Sequence, residues 1–413
     1  MSAAAVSVPH PAAFPAALGY NHALGYLKAA IVALVVALHA SLAYHPGAAP
    51  IPASLLAQPR VWQGFPVVDS HRALWAGIFA TFNDIFFMAL MFFLSGIFVW
   101  NSLRRKGVST YMRDRLLRLG LPFFPVAILL APLVYYPTYL QMAHHGNFTA
   151  FLHDWAALGS WSAGPVWFIW VLLIFDTLAV ACFSLRPSWA DQLGAFAGRA
   201  SASPYRFFAW LVVLSLLAYL PLAVPYGPFD WAGWGPFWIQ ESRILLYLVY
   251  FSAGIGVGTR GFNRGLLAPD GDLARRWRVW VRWSVLAFLA EAVALQTATS
   301  GPIPRGTLAT LHSWPMMAVL VLFPVSCAAS SFAVTAIFLR FAARPRPLLD
   351  NLSRNSYGIF LVHYAIVSWL GYWLLGPALP AFVKFLLVTA GSIAISWAAT
   401  IALRRLPGAQ RVL

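Results

Sequence analysis

The sequence predicts an all-α integral membrane protein: one helical bundle of about ten transmembrane helices, with both termini cytoplasmic. Three observations carry this. Of 413 residues, 61% are hydrophobic and 10% charged, where a soluble globular chain carries about 25% charged residues. Apolar runs of roughly 20 residues, enough to cross about 30 Å of hydrocarbon, recur along the chain. The basic residues fall into alternate loops.

The runs place helices near 24–44, 81–101, 120–140, 164–184, 207–225, 243–259, 279–298, 314–339, 355–375 and 382–403. The eighth carries Pro315 and Pro324, which predict a kink or a late start. Residues 1–20, Ala/Pro-rich without Lys or Arg, read as a flexible tail; a cleaved leader ending near "HASLAY" would lack its leading positive charges. The remainder, 21–413, reads as one transmembrane domain. The Pro-rich loop 45–80 has too little pattern for a core of its own. Tryptophans near segment ends, such as Trp100, Trp161 and Trp189, fit an interfacial aromatic belt. Cys182 and Cys327 sit in apolar runs and indicate neither a disulfide framework nor a metal site.

The net charge of +16 is a topology signal, not a nucleic-acid footprint. With loops assigned alternately, 23 of the 28 Lys and Arg residues fall on one side. The other side has Arg60, Arg72, Arg243, Arg305 and Lys384. The rich side is cytoplasmic by the positive-inside rule.

Four ionisable residues lie inside the spans. His39, in "KAAIVALVVALHASLAY", is eleven residues beyond Lys28, roughly 16 Å inward at 1.5 Å per residue. His363 and Glu291 lie nine residues beyond Arg354 and Arg282, roughly 13 Å in. Asp176 lies ten before Arg186, roughly 15 Å. Groups at one depth face the bundle interior, pair with each other and mark function. The bland alternative is a histidine donating to a neighbouring carbonyl and joining two helices.

A second stretch, "FFLSGIFVWNSLRRKGVSTYMRDRLLRLGLPFF" (92–124), ends one helix, turns through a basic loop and starts another. Arg115 and Arg118 stand three apart on one helix face, and two guanidinium forks suit a phosphate-bearing ligand. Topology anchoring and anionic-lipid contact are the competing reading. The small pair Ser95-Gly96 lets a helix or a ligand approach the backbone closely.

With these residues in view, the chain resembles the membrane-bound acyltransferase type 3 family, the bacterial multi-pass O-acyltransferases. Four patterns carry the resemblance: Lys28 and His39 with ten residues between them, "FFLSGIF" followed by Arg115 and Arg118, "GPVWFIWVLL" with Trp167 and Phe168, and "SYGIFLVH" ending at His363. The family usually has Arg where this chain has Lys28, which keeps the cation and loses the fork.

The resemblance implies an acyl-CoA donor, acetyl-CoA expected, associated with Arg115 and Arg118; Lys28, Ser95 and Trp167 are the further residues expected to bind it. It implies His39 as essential for transfer; independently of the resemblance, triad logic makes His363, Glu291 or Asp176 the candidate catalytic partner that orients it. The acceptor the resemblance implies is a hydroxyl of a cell-envelope glycan, glycolipid or related small molecule, and the location the bacterial inner membrane. Membrane lipids are expected partners; nucleic acid and a metal are not. A proton-coupled exporter with a His/Asp/Glu relay is the alternative. His144 and His145 are adjacent, whereas a helical metal pair wants two or three residues between its ligands.

Overall fold

The computed structural model describes residues 21–57, 59–143, 146–159, 162–301 and 306–413. The expected tail 1–20, Trp161, the His144-His145 pair and Arg305 lie outside them.

All ten expected segments are helical. The first is His22–Ser41, the second Leu74–Gly96, the fourth Trp167–Leu185, the fifth Pro204–Tyr226 and the sixth Ile244–Gly258. The seventh is Trp277–Thr299, the eighth Trp314–Phe341, the ninth Pro347–Trp373 and the tenth Ala381–Leu403. The third runs from Val108 to Ala143 with two π-helical turns, Leu116–Gly120 and Val126–Leu130. Among the described residues, eight spans are long and apolar enough to cross a membrane by length and composition. The sixth helix falls short in length, and the ninth has a polar start with Asp350, Asn351 and Arg354.

Three boundaries differ from the sequence expectation. The second helix starts at Leu74 instead of residue 81, because "LWAGIFA" (74–80) continues the helix two turns ahead of the expected span. The third starts at Val108, twelve residues early, since "VSTYMRDR" is helical although too polar to read as a span. The ninth starts at Pro347 instead of residue 355, its first two turns too polar to read as a span, while the eighth starts at Trp314 as expected, with Pro315 in its first turn, where a missing N–H costs nothing.

The third helix shows how sequence fixes packing. A proline has no N–H, so the carbonyl four residues before it loses its helical donor. Pro122 frees the carbonyl of Arg118, and Tyr357 of the ninth helix donates its hydroxyl there. Pro137 frees the carbonyl of Leu133, which accepts from Trp369 Nε1 at 3.1 Å. Beside it, Ser368 donates to Val134 O at 2.6 Å. The prolines thus stitch the third helix to the ninth.

The second helix is the centre of the bundle, with Phe86, Met88, Leu90, Phe92 and Leu94 all buried. In a bilayer, helices gain by close packing, not by leaving water. Gly96 serves that end: a Cβ there would run into the Phe251 carbonyl, so the sixth helix lies directly against the second. The seventh and tenth helices turn Leu286, Leu289, Val293, Leu386, Leu387 and Ile395 outward, where lipid is their solvent.

At the Arg-poor end, loop 45–73 folds over the bundle instead of hanging free. Asp69 N–H donates to Ala43 O and Ala73 N–H to Tyr44 O, both at 2.9 Å. Thr138 donates to Pro66 O at 2.6 Å. Lys384 of the tenth helix reaches Asp69 Oδ2 at 2.8 Å, with both side chains buried. Burial pushes the Asp69 carboxyl up, but the His71 amide and Lys384 outweigh it and hold it below the usual range. The same end carries a hairpin, Trp231–Trp234 paired antiparallel with Phe237–Gln240.

Candidate active site

A cavity of about 1010 Å³ opens at the Arg-rich end, between the first, second and third helices. Its walls carry Lys28, Arg105, Lys106, Arg113, Arg115, Arg118 and Arg411, against a single carboxylate, Asp114. Ser95 and Met91 line its inner part, and Ser95 keeps its hydroxyl on Met91 O at 2.8 Å. The small pair therefore does two things: Gly96 admits the sixth helix, and Ser95 faces the cavity.

The cations are not equivalent. Lys106 is paired with Asp114 at 2.6 Å. Arg115 Nε stands 3.2 Å from Asp176 Oδ2, and the Tyr111 hydroxyl donates to Asp176 Oδ1 at 2.5 Å. Asp176 is fully buried, and its Oδ2 meets Arg115 as a charge contact without hydrogen-bond alignment. Among the described residues, Lys28, Arg105, Arg113, Arg118 and Arg411 have no carboxylate at ion-pairing distance. A concave surface of unpaired cations favours an anion of several charges. Arg118 is positioned for this by its carbonyl contact with Tyr357.

His39 lies on the first helix, eleven residues past Lys28, and meets His363 of the ninth. His39 Nδ1 is 2.7 Å from Val35 O. A carbonyl only accepts, so Nδ1 carries the hydrogen and Nε2 carries the lone pair of the neutral ring. His363 Nδ1 is likewise 2.7 Å from Phe360 O, which leaves its Nε2 as an acceptor, 3.3 Å from His39 Nδ1. The pair fixes one tautomer of His39, with a basic nitrogen at Nε2. The Tyr364 ring packs on the imidazole with centroids 4.5 Å apart. Gly164 makes room for that ring, since a Cβ there would stand 2.6 Å from Tyr364 Cδ1, and its φ of +65° is one that glycine adopts without strain.

His39 also lines a small chamber on the Arg-poor side, with Pro66, Val67 and Ser368. At about 20 Å³ it has room for one water. Loop 45–73 supplies its cover.

Of the four ionisable residues expected at one depth, only His39 and His363 touch. Asp176 belongs to Arg115, as described. Glu291 is buried in a separate polar region of the seventh helix, near Ser326, Arg243 and Asp84, where Arg243 binds Asp84 at 2.8 Å. No continuous relay joins the four. Trp167 is not on the cavity wall; it packs with Phe92, Tyr247 and Trp231. Tyr111, Tyr364 and Arg411 were not singled out by the sequence argument. The first could have been, as a hydroxyl four residues before Arg115 on the same helix face. Among the described residues, no three His, Cys, Asp or Glu side chains gather as metal ligands.

Comparison with known proteins gives one match. A family model described as an acyltransferase domain covers residues 21–401. No curated protein and no solved structure matches the chain.

Proposed function

The chain belongs to the membrane acyltransferase type 3 family and is an acyltransferase; from that premise we propose that it moves an acyl group, acetyl in the simplest case, from acyl-CoA to a hydroxyl of a cell-envelope glycan or glycolipid. The observation that carries this reading is the cavity of unpaired cations at the Arg-rich end. It is of ligand size, and its charge matches a nucleotide thioester. The charge asymmetry of the loops favours a cytoplasmic mouth, where such donors are made, and so an inner membrane with both termini inside.

In this reading Arg118 and Lys28 hold donor phosphates, and Arg115 lines the same wall with its charge balanced by Asp176. The thioester arm runs inward along the first helix, over the roughly 16 Å between Lys28 and His39. His39 Nε2 takes the proton of the acceptor hydroxyl as its oxygen attacks the thioester carbonyl. The tetrahedral adduct expels the thiolate, which recovers the proton from His39. His363 Nε2 accepts from His39 Nδ1–H and so favours the imidazolium that forms, the part an orienting third residue plays in a triad. The acceptor arrives from the Arg-poor side. A sugar does not fit a chamber for one water, so its entry requires loop 45–73 to lift.

The test is transfer of radiolabel from acyl-CoA to envelope glycan or glycolipid by membranes containing the protein. Label must appear with the wild type and be absent with His39→Gln. Failure of every acyl-CoA to label any envelope fraction overturns the proposal.

A further inference from the structure

The chain after the tenth helix lies beyond the residues matched by the family model, yet it forms part of the basic cavity. The helix ends at Leu403, the backbone reverses at Gly408 with φ +80°, and a short turn over Ala409–Arg411 follows. That turn places Gln410 and Arg411 in the cavity wall. Two contacts hold it there. Arg118 Nε donates to the Arg411 carbonyl at 3.4 Å, and Leu413 packs against the hydrophobic core.

Two guanidinium-bearing residues are thus joined through the backbone of one and the side chain of the other. Neither has a carboxylate partner among the described residues. Like charges repel when brought together, and an anion between them removes that cost. Arg118 uses its Nε on the turn, which leaves its terminal nitrogens for a ligand. The turn both positions Arg118 and brings Arg411 into the same wall.

We propose that Arg411 is a further donor-binding residue, which with Arg118 clamps the phosphates of a nucleotide-bearing thioester and makes the C-terminal turn a wall of the donor site. This rests on the acyl-CoA reading above. Its consequence is specificity: the turn distinguishes a donor with nucleotide phosphates from the same thioester without them.

The experiment uses the purified full chain and two probes, acetyl-CoA and acetyl-pantetheine, which share the thioester arm and differ in the whole nucleotide, adenosine together with its phosphates. Equilibrium binding of each is measured for the wild type, Arg411→Gln and Arg411→Lys. The expected result is about tenfold weaker acetyl-CoA binding in Arg411→Gln, partial recovery in Arg411→Lys, and unchanged acetyl-pantetheine binding in both. A loss confined to the phosphate-bearing probe is not expected of a residue that only packs. A wild type that prefers acetyl-CoA, with Arg411→Gln keeping the full preference, overturns this inference alone. A wild type with no preference between the probes overturns the donor reading and this inference with it.

Discussion

Asp176 neutralises Arg115: its Oδ2 stands 3.2 Å from the guanidinium Nε, buried behind the wall of the basic cavity. Removing the cation leaves a buried carboxylate without its partner, a change that costs roughly 3–5 kcal/mol. Arg115→Gln is therefore expected to lower the thermal unfolding temperature in detergent, and Arg115→Gln/Asp176→Asn to recover most of it. Equal stability of the single variant and the wild type contradicts the pairing.

Arg118 has no such partner, so its loss acts on the ligand. Arg118→Gln should weaken acyl-CoA binding about tenfold or more, with little change in unfolding temperature. Lys28→Arg, which restores a fork at a cavity position, should be the mildest change in the set. The measurement is donor affinity and unfolding temperature side by side; a variant that loses both equally marks Arg118 as a structural residue.

The histidines separate by role. His39→Gln keeps a hydrogen-bonding amide but no exchangeable proton near neutral pH, and should reduce turnover by about 10²–10⁴-fold. His363→Leu leaves His39 Nδ1 on Val35 O and removes only the second acceptor, for a loss of about fivefold. Turnover in the label-transfer assay decides, and a larger loss at His363 than at His39 reverses the assignment.

Lys384 and Asp69 latch the loop that covers His39. Lys384→Met should strand the Asp69 carboxylate, destabilise the fold by roughly 3–5 kcal/mol and expose 45–73 to protease. The pH dependence has a definite sign. Because the folded Asp69 carboxyl lies below its ordinary 3.8, the pair contributes fully above that value and is lost as pH falls through the lower folded one. Wild-type loop protection should therefore persist from neutral pH down to about the ordinary carboxylate range. Loss of protection near pH 6 excludes this latch.

Reporter fusions test the orientation. Fusions at Arg105, Arg276 and Arg344 should read cytoplasmic, and fusions at Gly47 and Gly301 external. A shared side for Arg276 and Gly301 removes the seventh span and the depth estimates with it.

The spans were legible because hydrophobic length is a one-dimensional property, and the crowding of Lys and Arg at one end follows from the same count. Lateral neighbours were not. Asp176 and His39 share a nominal depth, but rotation about each helix axis decides what a side chain meets, and Asp176 faces the third helix. Arg115 looked like a surface residue because "VSTYMRDR" is polar. With the helix starting at Val108, Arg115 lies seven residues inside it, roughly 10 Å, which brings it towards Asp176. His39 and His363 could be placed on one level but not in contact, since nothing in either helix alone states that the first and ninth are adjacent.

The latch has a consequence for the order of assembly. Asp69 and Lys384 are 315 residues apart in the chain, and His39 and His363 are 324 apart. At ribosomal rates of about 5–20 residues per second, Lys384 is made roughly 15–60 s after Asp69. Throughout that interval the cover over His39 lacks its ion-pair anchor and is held only by hydrogen bonds such as Asp69 N–H to Ala43 O, and for most of it the second imidazole does not yet exist. The nascent chain thus acquires the arginines of the third helix early and its histidine pair late. The contact between His39 and His363 forms only once the ninth helix has been made.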